Sequence, residues 1–482
     1  MENKVVATSI IYKLIEKILV KGVGLVVSII LARLLAPEVF GVIAIIMAIV
    51  AIAQIFVESG LNTALIQAKN IERSDYSTVF YINFAIAFLL YCLLFFLAPL
   101  IAAFYEIDEY VLHFRILMLI LLFYSINSIQ TAKLTREMQF KKMLLAQLIS
   151  SAVSGVVGII FAFLGKGIWA LVIYYLVNAV VSSIVYGFVS HWRPEFTFSK
   201  SRAKVLFGYG SKVFASAFIC SLFSNIRTFI IGKKYSSTEL GLYSRGDQIP
   251  STISTTIDNT FTSVMLPAFS QQQDNKSEIR AMLKKVISLN AFINFPAMMG
   301  LAVIAPVLVE VLYTSAWNEC IPFFSILSLA NLSVAILPSC LTAIKALGRS
   351  DVFLKLEIVR RIVMVIILLI SLLFNSLIAI AIGWMISCFI DVFIVLIPTY
   401  KLIGYSFYDL FQDTGSSFLI SLAMALNVWL VSQINVPLVS SLLLQIITGI
   451  VVYIGVSACF KTKNFVSALV IVKMLFKKKD KK

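Results

Sequence analysis

Residues 224–273 read SNIRTFIIGKKYSSTELGLYSRGDQIPSTISTTIDNTFTSVMLPAFSQQQ, and the fold turns on whether the second half is a helix inside a membrane or a loop beside one. The stretch carries Arg227, Arg245, Asp247 and Asp258 together with a run of Ser and Thr, yet it lies amid long apolar segments. A charged side chain at mid-bilayer costs about 2.5–3.5 kcal/mol when it faces lipid. If this stretch crosses a bilayer, its charges must face a watery interior.

The surrounding composition makes a bilayer the expected solvent. Of 482 residues 60% are hydrophobic and only 13% charged, more apolar surface than a soluble chain of this size can hide. The formal net charge of +16 does not point to nucleic acid, because the basic residues lie in short clusters between apolar runs. That arrangement fits cytoplasmic loops beside an anionic leaflet. Six scattered cysteines form no CxxC pair and read as small apolar filler, five of them buried in spans and Cys320 at the start of one. The first apolar run is followed by further spans rather than a cleavage site.

A span needs about 20 mostly apolar residues. Six are expected near 10–33, 40–66, 77–103, 111–134, 143–164 and 168–190, then a basic connector at 191–206. Six more follow near 207–232, 240–271, 283–312, 320–346, 354–375 and 377–399, and after a second connector near 401–413 two last ones at 415–434 and 438–460. The expectation is an all-α polytopic protein with fourteen transmembrane helices. It divides as a six-helix lobe over 1–190, the connector 191–206, a second lobe over 207–400, two additional helices over 401–460 and a basic tail over 461–482. With both termini cytoplasmic, most of the 40 Lys and Arg fall inside, while Glu38, Glu106, Asp108, Glu109, Glu239, Glu310 and Glu319 fall outside. The clusters Lys200–Lys212 and Lys276–Lys285 are both cytoplasmic on this reading. An even number of spans must separate them, so 240–271 has to be a span.

An internal repeat points the same way. At an offset of 200, Arg33 meets Lys233, Gly41 meets Gly241 and Glu58 meets Asp258; at 213, Leu134 meets Leu347, Arg136 meets Arg349, Phe140 meets Phe353 and Lys142 meets Lys355. Six spans is an even number, so the two copies insert in the same orientation, related by an axis along the membrane normal. Pro99, Pro250, Pro296, Pro306, Pro338 and Pro398 mark bends that a membrane helix tolerates where neighbours satisfy the freed carbonyls.

Candidate functional residues follow from charge at depth. A hairpin of 207–232 and 240–271 would bring Arg227, Arg245 and Asp247 together, with Asn225 beside them. Two arginines suit a phosphate or pyrophosphate through bidentate guanidinium bonds, and the same residues would equally serve as an ion pair locking the helices. Glu58 and Asp258 occupy matching places about two-thirds down their helices and could take up and release a proton; Asn259 and the neighbouring threonines offer oxygens for sodium. Each carboxylate could as well be a satisfied helix contact. Asp391 and His113 read as lone structural groups. Gln54, Asn83, Asn127, Gln130, Gln147, Asn178, Asn225 and Asn331 either line a cavity or bond helix to helix. The external run Glu106-Ile107-Asp108-Glu109 sits in a short loop and reads as a solvated turn. The tail from Asn464 to Phe476 with KKKDKK after it reads as a helix on the inner leaflet. No GxxxxGK[ST] phosphate loop occurs, so ATP is not expected as the direct energy source, and no cofactor or catalytic activity is expected.

Three segments carry a family resemblance: RLLAPEVFGVIAIIMAIVAIAQIFVESGLNTALIQ (33–67), AKLTREMQFKKM (132–143) and KKYSSTELGLYSRGDQIP (233–250). With them the chain resembles, over nearly its whole length, the polysaccharide-transporter branch of the MOP exporter superfamily, nearest the Wzx-type flippases of the colanic-acid and teichuronic-acid exporter group. The resemblance implies movement of an undecaprenyl-pyrophosphate-linked oligosaccharide from the cytoplasmic to the outer leaflet of a bacterial plasma membrane. It further implies alternating access between two lobes, coupling to a proton or sodium gradient, membrane lipids as surroundings, and a polysaccharide polymerase and export machinery as partners. It also implies a cationic cavity, which Arg227 and Arg245 would supply, whereas the first lobe has no mid-span arginine pair. A multidrug or metabolite antiporter of the same superfamily is the alternative, and such exporters commonly have twelve spans.

Overall fold

A computed structural model describes residues 19–58, 60–68, 71–273, 275–462, 464–467 and 469, and all regular structure in them is helical, with no strand. Lys4, Lys13, Lys17, Lys69 and the lysines from Lys473 onward, with most of the expected tail helix, lie outside the described residues. The helices are α1 (described over 19–34), α2 (Pro37–Glu58), α3 (Leu61–Gln67), α4 (Arg73–Tyr105), α5 (Val111–Leu117), α6 (Ile120–Arg136), α7 (Phe140–Phe163), α8 (Trp169–Ser190) and α9 (Lys200–Lys234). They continue as α10 (Ser237–Gln271), α11 (Lys276–Leu312), α12 (Ile321–Ala330), α13 (Leu337–Ala346), α14 (Ser350–Leu373), α15 (Leu377–Ile403), α16 (Phe407–Ser432) and α17 (Leu438–Cys459). Among the described residues, eleven helical stretches are long and apolar enough to cross a membrane, so the chain is a multi-pass membrane protein. Four helices fall outside that set: α1, the seven-residue α3, and α10 and α14, which are more polar.

Local sequence explains where these helices start and stop. Glu72 and Asp75 form a capping box at α4, Ser406 and Asp409 one at α16, and the side chains of Ser199 and Asn275 cap α9 and α11. Glu106 and Gly404 adopt left-handed conformations that end α4 and α15. The acidic turn after α4 is a short 3-10 segment, Asp108–Tyr110, with Glu106 paired to Lys233 at 3.3 Å.

The stretch quoted at the outset is not a loop. Ser237–Gln271 is one unbroken helix of 35 residues, roughly 52 Å long at 1.5 Å per residue. Its hydroxyls bond back to their own helix: Thr255 Oγ1 to Ser251 O at 2.7 Å, Thr256 to Thr252 O at 2.6 Å and Thr260 to Thr256 O at 2.9 Å. Such back-bonding satisfies the hydroxyls without breaking the backbone ladder.

The expected spans at 111–134 and 320–346 are both interrupted. The first breaks at Met118–Leu119 between α5 and α6; the second breaks at a 3-10 segment, Asn331–Ala335, between α12 and α13. Met118 and Asn331 are 213 residues apart, the offset of the second set of sequence matches. Pro338 therefore opens a helix after the break instead of bending one midway.

The chain divides into two compact units, 1–244 and 245–482. In the first, Leu61, Leu65, Val79, Ile129, Trp192 and Leu206 share a core cluster. The connector docks on α4: Glu195 N donates to Ser77 Oγ, Ser199 N to Thr78 Oγ1 (both 3.0 Å), and Arg202 Nε to the buried Asp75 at 2.7 Å. Arg136 Nη1 donates to the carbonyls of Leu65 and Ala68 at the end of α3. Repeat-related glycines touch reciprocally here. A Cβ on Gly41 would stand 1.7 Å from Ser237 O, and one on Gly241 would stand 2.0 Å from Pro37 O, so the two helices meet backbone to backbone. Exchanging the partners at the offset of 200 reproduces the contact, as a local twofold axis requires.

In the second unit α16 and α17 pack on α11. Arg280 and Lys284 pair with the buried Asp409 at 2.7 and 2.8 Å, Tyr453 Oη donates to Phe292 O at 2.8 Å, and Asn464 bonds Ser288, Ser417 and the Asp413 carbonyl. Cys340 is buried as expected, and so is Cys320 at the start of its span, whereas Cys220 and Cys459, expected buried, stand on exposed helix faces, positions that in a bilayer suit a small apolar side chain equally well.

Candidate functional site

Arg227 lies 27 residues into α9, a helix with few buried positions, and its Nη1 donates to the hydroxyl of Tyr243 at 2.6 Å. Asn225, two residues earlier, donates to its own helix at Ser221 O, 2.9 Å away. In the second unit Arg245 is only 5% exposed. Its guanidinium carbon sits 5.6 Å from the centre of the Trp317 ring and 5.9 Å from that of Tyr313, and Nη1 donates to Gln248. An arginine held by two aromatic faces keeps its charge in a fixed orientation. Tyr313 and Trp317 are partners that sequence reasoning missed; their proximity to an arginine about 70 positions earlier left no mark in spacing. Asp247 is half-buried on the same helix.

Of the two expected ion-coupling carboxylates, Glu58 is the last residue of α2 and Asp258 lies about two-thirds along α10, and each bonds its own helix. Gln54 Nε2 donates to Glu58 at 2.9 Å, and Thr262 Oγ1 donates to Asp258 Oδ1 at 3.3 Å. Asn259 Nδ2 donates to Thr255 O at 2.6 Å.

The polar residues that sequence left unsorted now separate. Asn83 bonds Ser128, Asn127 bonds Ser182, Asn178 bonds Ser154 and Gln147 bonds Tyr186, each joining two helices. Asn331 donates to Leu327 O in the helix just before it. His113 packs on Trp169 with ring centres 4.5 Å apart, a structural role. Asp391 is not lone. Arg360 bridges it at 3.0 Å to Glu357 at 2.6 Å, and Arg361 adds a third bond at 3.3 Å, so α14 and α15 share a half-buried charge network. The signal was present in Glu357-x-x-Arg360-Arg361, whose spacing puts acid and base on one helix face. A cavity of about 400 Å³ also went unforeseen. It is lined by apolar side chains of α10, α11, α16 and α17, among them Ile253, Leu301, Met424, Val428 and Ile450.

Comparison with known proteins follows this geometry. Residues 30–322, more than half of the chain, match the family described as polysaccharide biosynthesis protein. The chain is 26% identical over 301 residues to the teichuronic acid biosynthesis protein TuaB of Bacillus subtilis, covering 62% of each protein. It is 24% identical to the lipopolysaccharide biosynthesis protein WzxC of Escherichia coli (71% of this chain, 70% of that one). To the succinoglycan biosynthesis transport protein ExoT of Rhizobium meliloti it is 27% identical (74% and 73%). Its match thus spans a little under two thirds of TuaB. Among solved structures, the lipid II flippase MurJ in an inward closed conformation aligns with TM-score 0.75 at 18% identity, covering 94% of this chain and 98% of that one. An inward-facing multidrug resistance MATE transporter of the MOP superfamily aligns with TM-score 0.66 at 16% identity, covering 82% and 99%. The fold is therefore that of the MOP-type transporters, as the three sequence segments implied.

Proposed function

Because this chain belongs to the polysaccharide biosynthesis protein family, we propose that it is a Wzx-type flippase, moving undecaprenyl-pyrophosphate-linked oligosaccharide repeat units from the cytoplasmic to the outer leaflet for surface polysaccharide biosynthesis. The observation that carries this reading is the family match over 30–322 with the polar helix α10 inside it. A helix of that length and polarity is stable across a bilayer only when it lines a wet interior.

Fourteen spans follow if α1, α10 and α14 join the eleven apolar stretches. They would form two six-helix lobes over 1–190 and 207–400, linked by 191–206, with two added helices over 401–460 and the basic tail 461–482 in the cytoplasm beside the N-terminus. The membrane would be the bacterial plasma membrane. Arg227 with Asn225 on α9, and Arg245 with Asp247 on α10, are our candidates for holding the charged head of the substrate. The apolar cavity beside α11 and α17 suits part of its hydrocarbon chain. Alternating access would be driven by a proton or sodium gradient through Asp258, Asn259 and Glu58. A polymerase and export machinery would take the product, and the chain itself would catalyse no covalent step.

The test is genetic and direct. Arg227→Ala in a strain lacking the chromosomal copy should abolish surface polysaccharide while the protein still reaches the membrane; normal polymer in that strain would remove Arg227 from the site. The MATE-like fold favours a second reading, a multidrug or metabolite antiporter. Under it, deletion would produce drug sensitivity with polymer intact.

A further inference from the structure

Around the interruption between α12 and α13, buried polar groups from three helices meet. Asn294 on α11 donates Nδ2 to Ser254 Oγ on α10 at 2.9 Å, and Ser254 Oγ donates to the backbone oxygen of Asn331 at 3.3 Å. Asn331 opens the 3-10 segment, where the backbone departs from the α-helical ladder. Ser254, Asn290 and Asn294 are each fully buried. Three of their polar atoms nevertheless have no hydrogen-bond partner: Asn294 Oδ1, and both Oδ1 and Nδ2 of Asn290. Buried amides are nearly always satisfied, so unsatisfied ones gathered at a helix break need a partner, either a bound ion or a buried water.

Register places a charge beside them. α10 and α11 are joined by a short turn after Gln271, and Ser254 and Asn294 stand about equally far from it, so the helices run antiparallel. One turn toward the connection from Asn294 is Asn290; one turn toward it from Ser254 is Asp258. Asn290 and Asp258 therefore occupy the same level, next to the Asn294–Ser254 pair.

We propose that this cluster binds a monovalent cation, sodium, through the Asp258 carboxylate, the amide oxygens of Asn290 and Asn294, Ser254 Oγ and the Asn331 carbonyl. One carboxylate balances one positive charge, and the remaining donors are neutral oxygens. A hard divalent ion usually draws on more carboxylates, and a soft metal on thiolate or imidazole ligands. Among the described residues no group of three His, Cys, Asp or Glu could hold a metal. Carbonyls exposed at a helix break serve sodium in this way in other transporters. The proposal rests on the ion-coupled reading above and narrows it to sodium at a stated set of atoms.

The test is binding of ²²Na⁺ to the purified full chain in detergent, alongside its thermal unfolding midpoint in sodium chloride, potassium chloride and choline chloride. Saturable sodium binding that choline does not compete is expected, with a midpoint raised by sodium more than by choline. Asp258→Asn and Asn290→Ala should each weaken binding by at least about tenfold. Absence of saturable binding in the wild type overturns the site. So does sodium affinity unchanged in Asn290→Ala, the result expected if the orphaned amide holds only a buried water. Sodium binding that persists in a protein unable to flip lipid-linked sugar would sink the transport reading while upholding the cation site.

Discussion

Helices α2 and α10 meet at their first turns through one contact made twice, Gly41 on Ser237 and Gly241 on Pro37, and then part company. Past that contact α2 is apolar down to Gln54 and Glu58, whereas α10 carries Arg245, Asp247, Asp258 and a dense run of hydroxyls. The packing end of the duplicated helix tolerates no change, because backbone meets backbone there. The remainder is free to diverge, and only one copy has become polar. A duplication can thus keep its scaffold symmetric while assigning chemistry to one side.

Four experiments bear on that contrast. The largest effect belongs to the shared contact. Gly41→Leu and Gly241→Leu should each abolish folded protein, since any side chain there meets a carbonyl oxygen, and size-exclusion profiles of the two should be equally poor. One variant folding normally would break the reciprocity. Next come the carboxylates. Asp258→Asn should lower ion-driven transport by about tenfold or more and flatten its dependence on the gradient, with Glu58→Gln falling well short of that; equal losses would mean that both copies carry the coupling. The arginines follow. In the unfolding midpoint, Arg245→Ala should cost more than Arg227→Ala, because Arg245 is a desolvated cation between two aromatic rings, an arrangement worth roughly 0.5–2 kcal/mol, whereas Arg227 on its less buried helix has one ring and one hydrogen bond, both to Tyr243. The smallest effect is Gln54→Leu, which removes one hydrogen bond to Glu58 and should cost about 1 kcal/mol in thermal unfolding.

Much of this was legible in the sequence because membrane solvation imposes coarse rules. Alternation of basic clusters required 240–271 to be a span, and the helix found there runs unbroken from Ser237 to Gln271. The offset of 200 singled out Gly41 and Gly241, which do touch. What stayed hidden depends on which helix faces which. Asp391 reads as isolated in sequence because its partner Arg360 lies on a different helix. By sequence Arg245 reads as a phosphate ligand, yet its neighbours Trp317 and Tyr313 come from far along the chain. The breaks at Met118 and Asn331 were invisible too. The first carries no proline or glycine within an apolar run, and at the second Pro338 follows the break, where it read as a bend within one span.

Those breaks bear on mechanics. Leu119 N bonds Ile116 O and Ile336 N bonds Ser333 O, three residues back, so a rung of the ordinary ladder is missing at each place. A rod bends first where it is thinnest, and amide protons at 116–122 and 331–337 should exchange with heavy water sooner than those one turn away on either side. Two such joints, 213 residues apart, are where half a helix should tilt most readily while the other half stays seated.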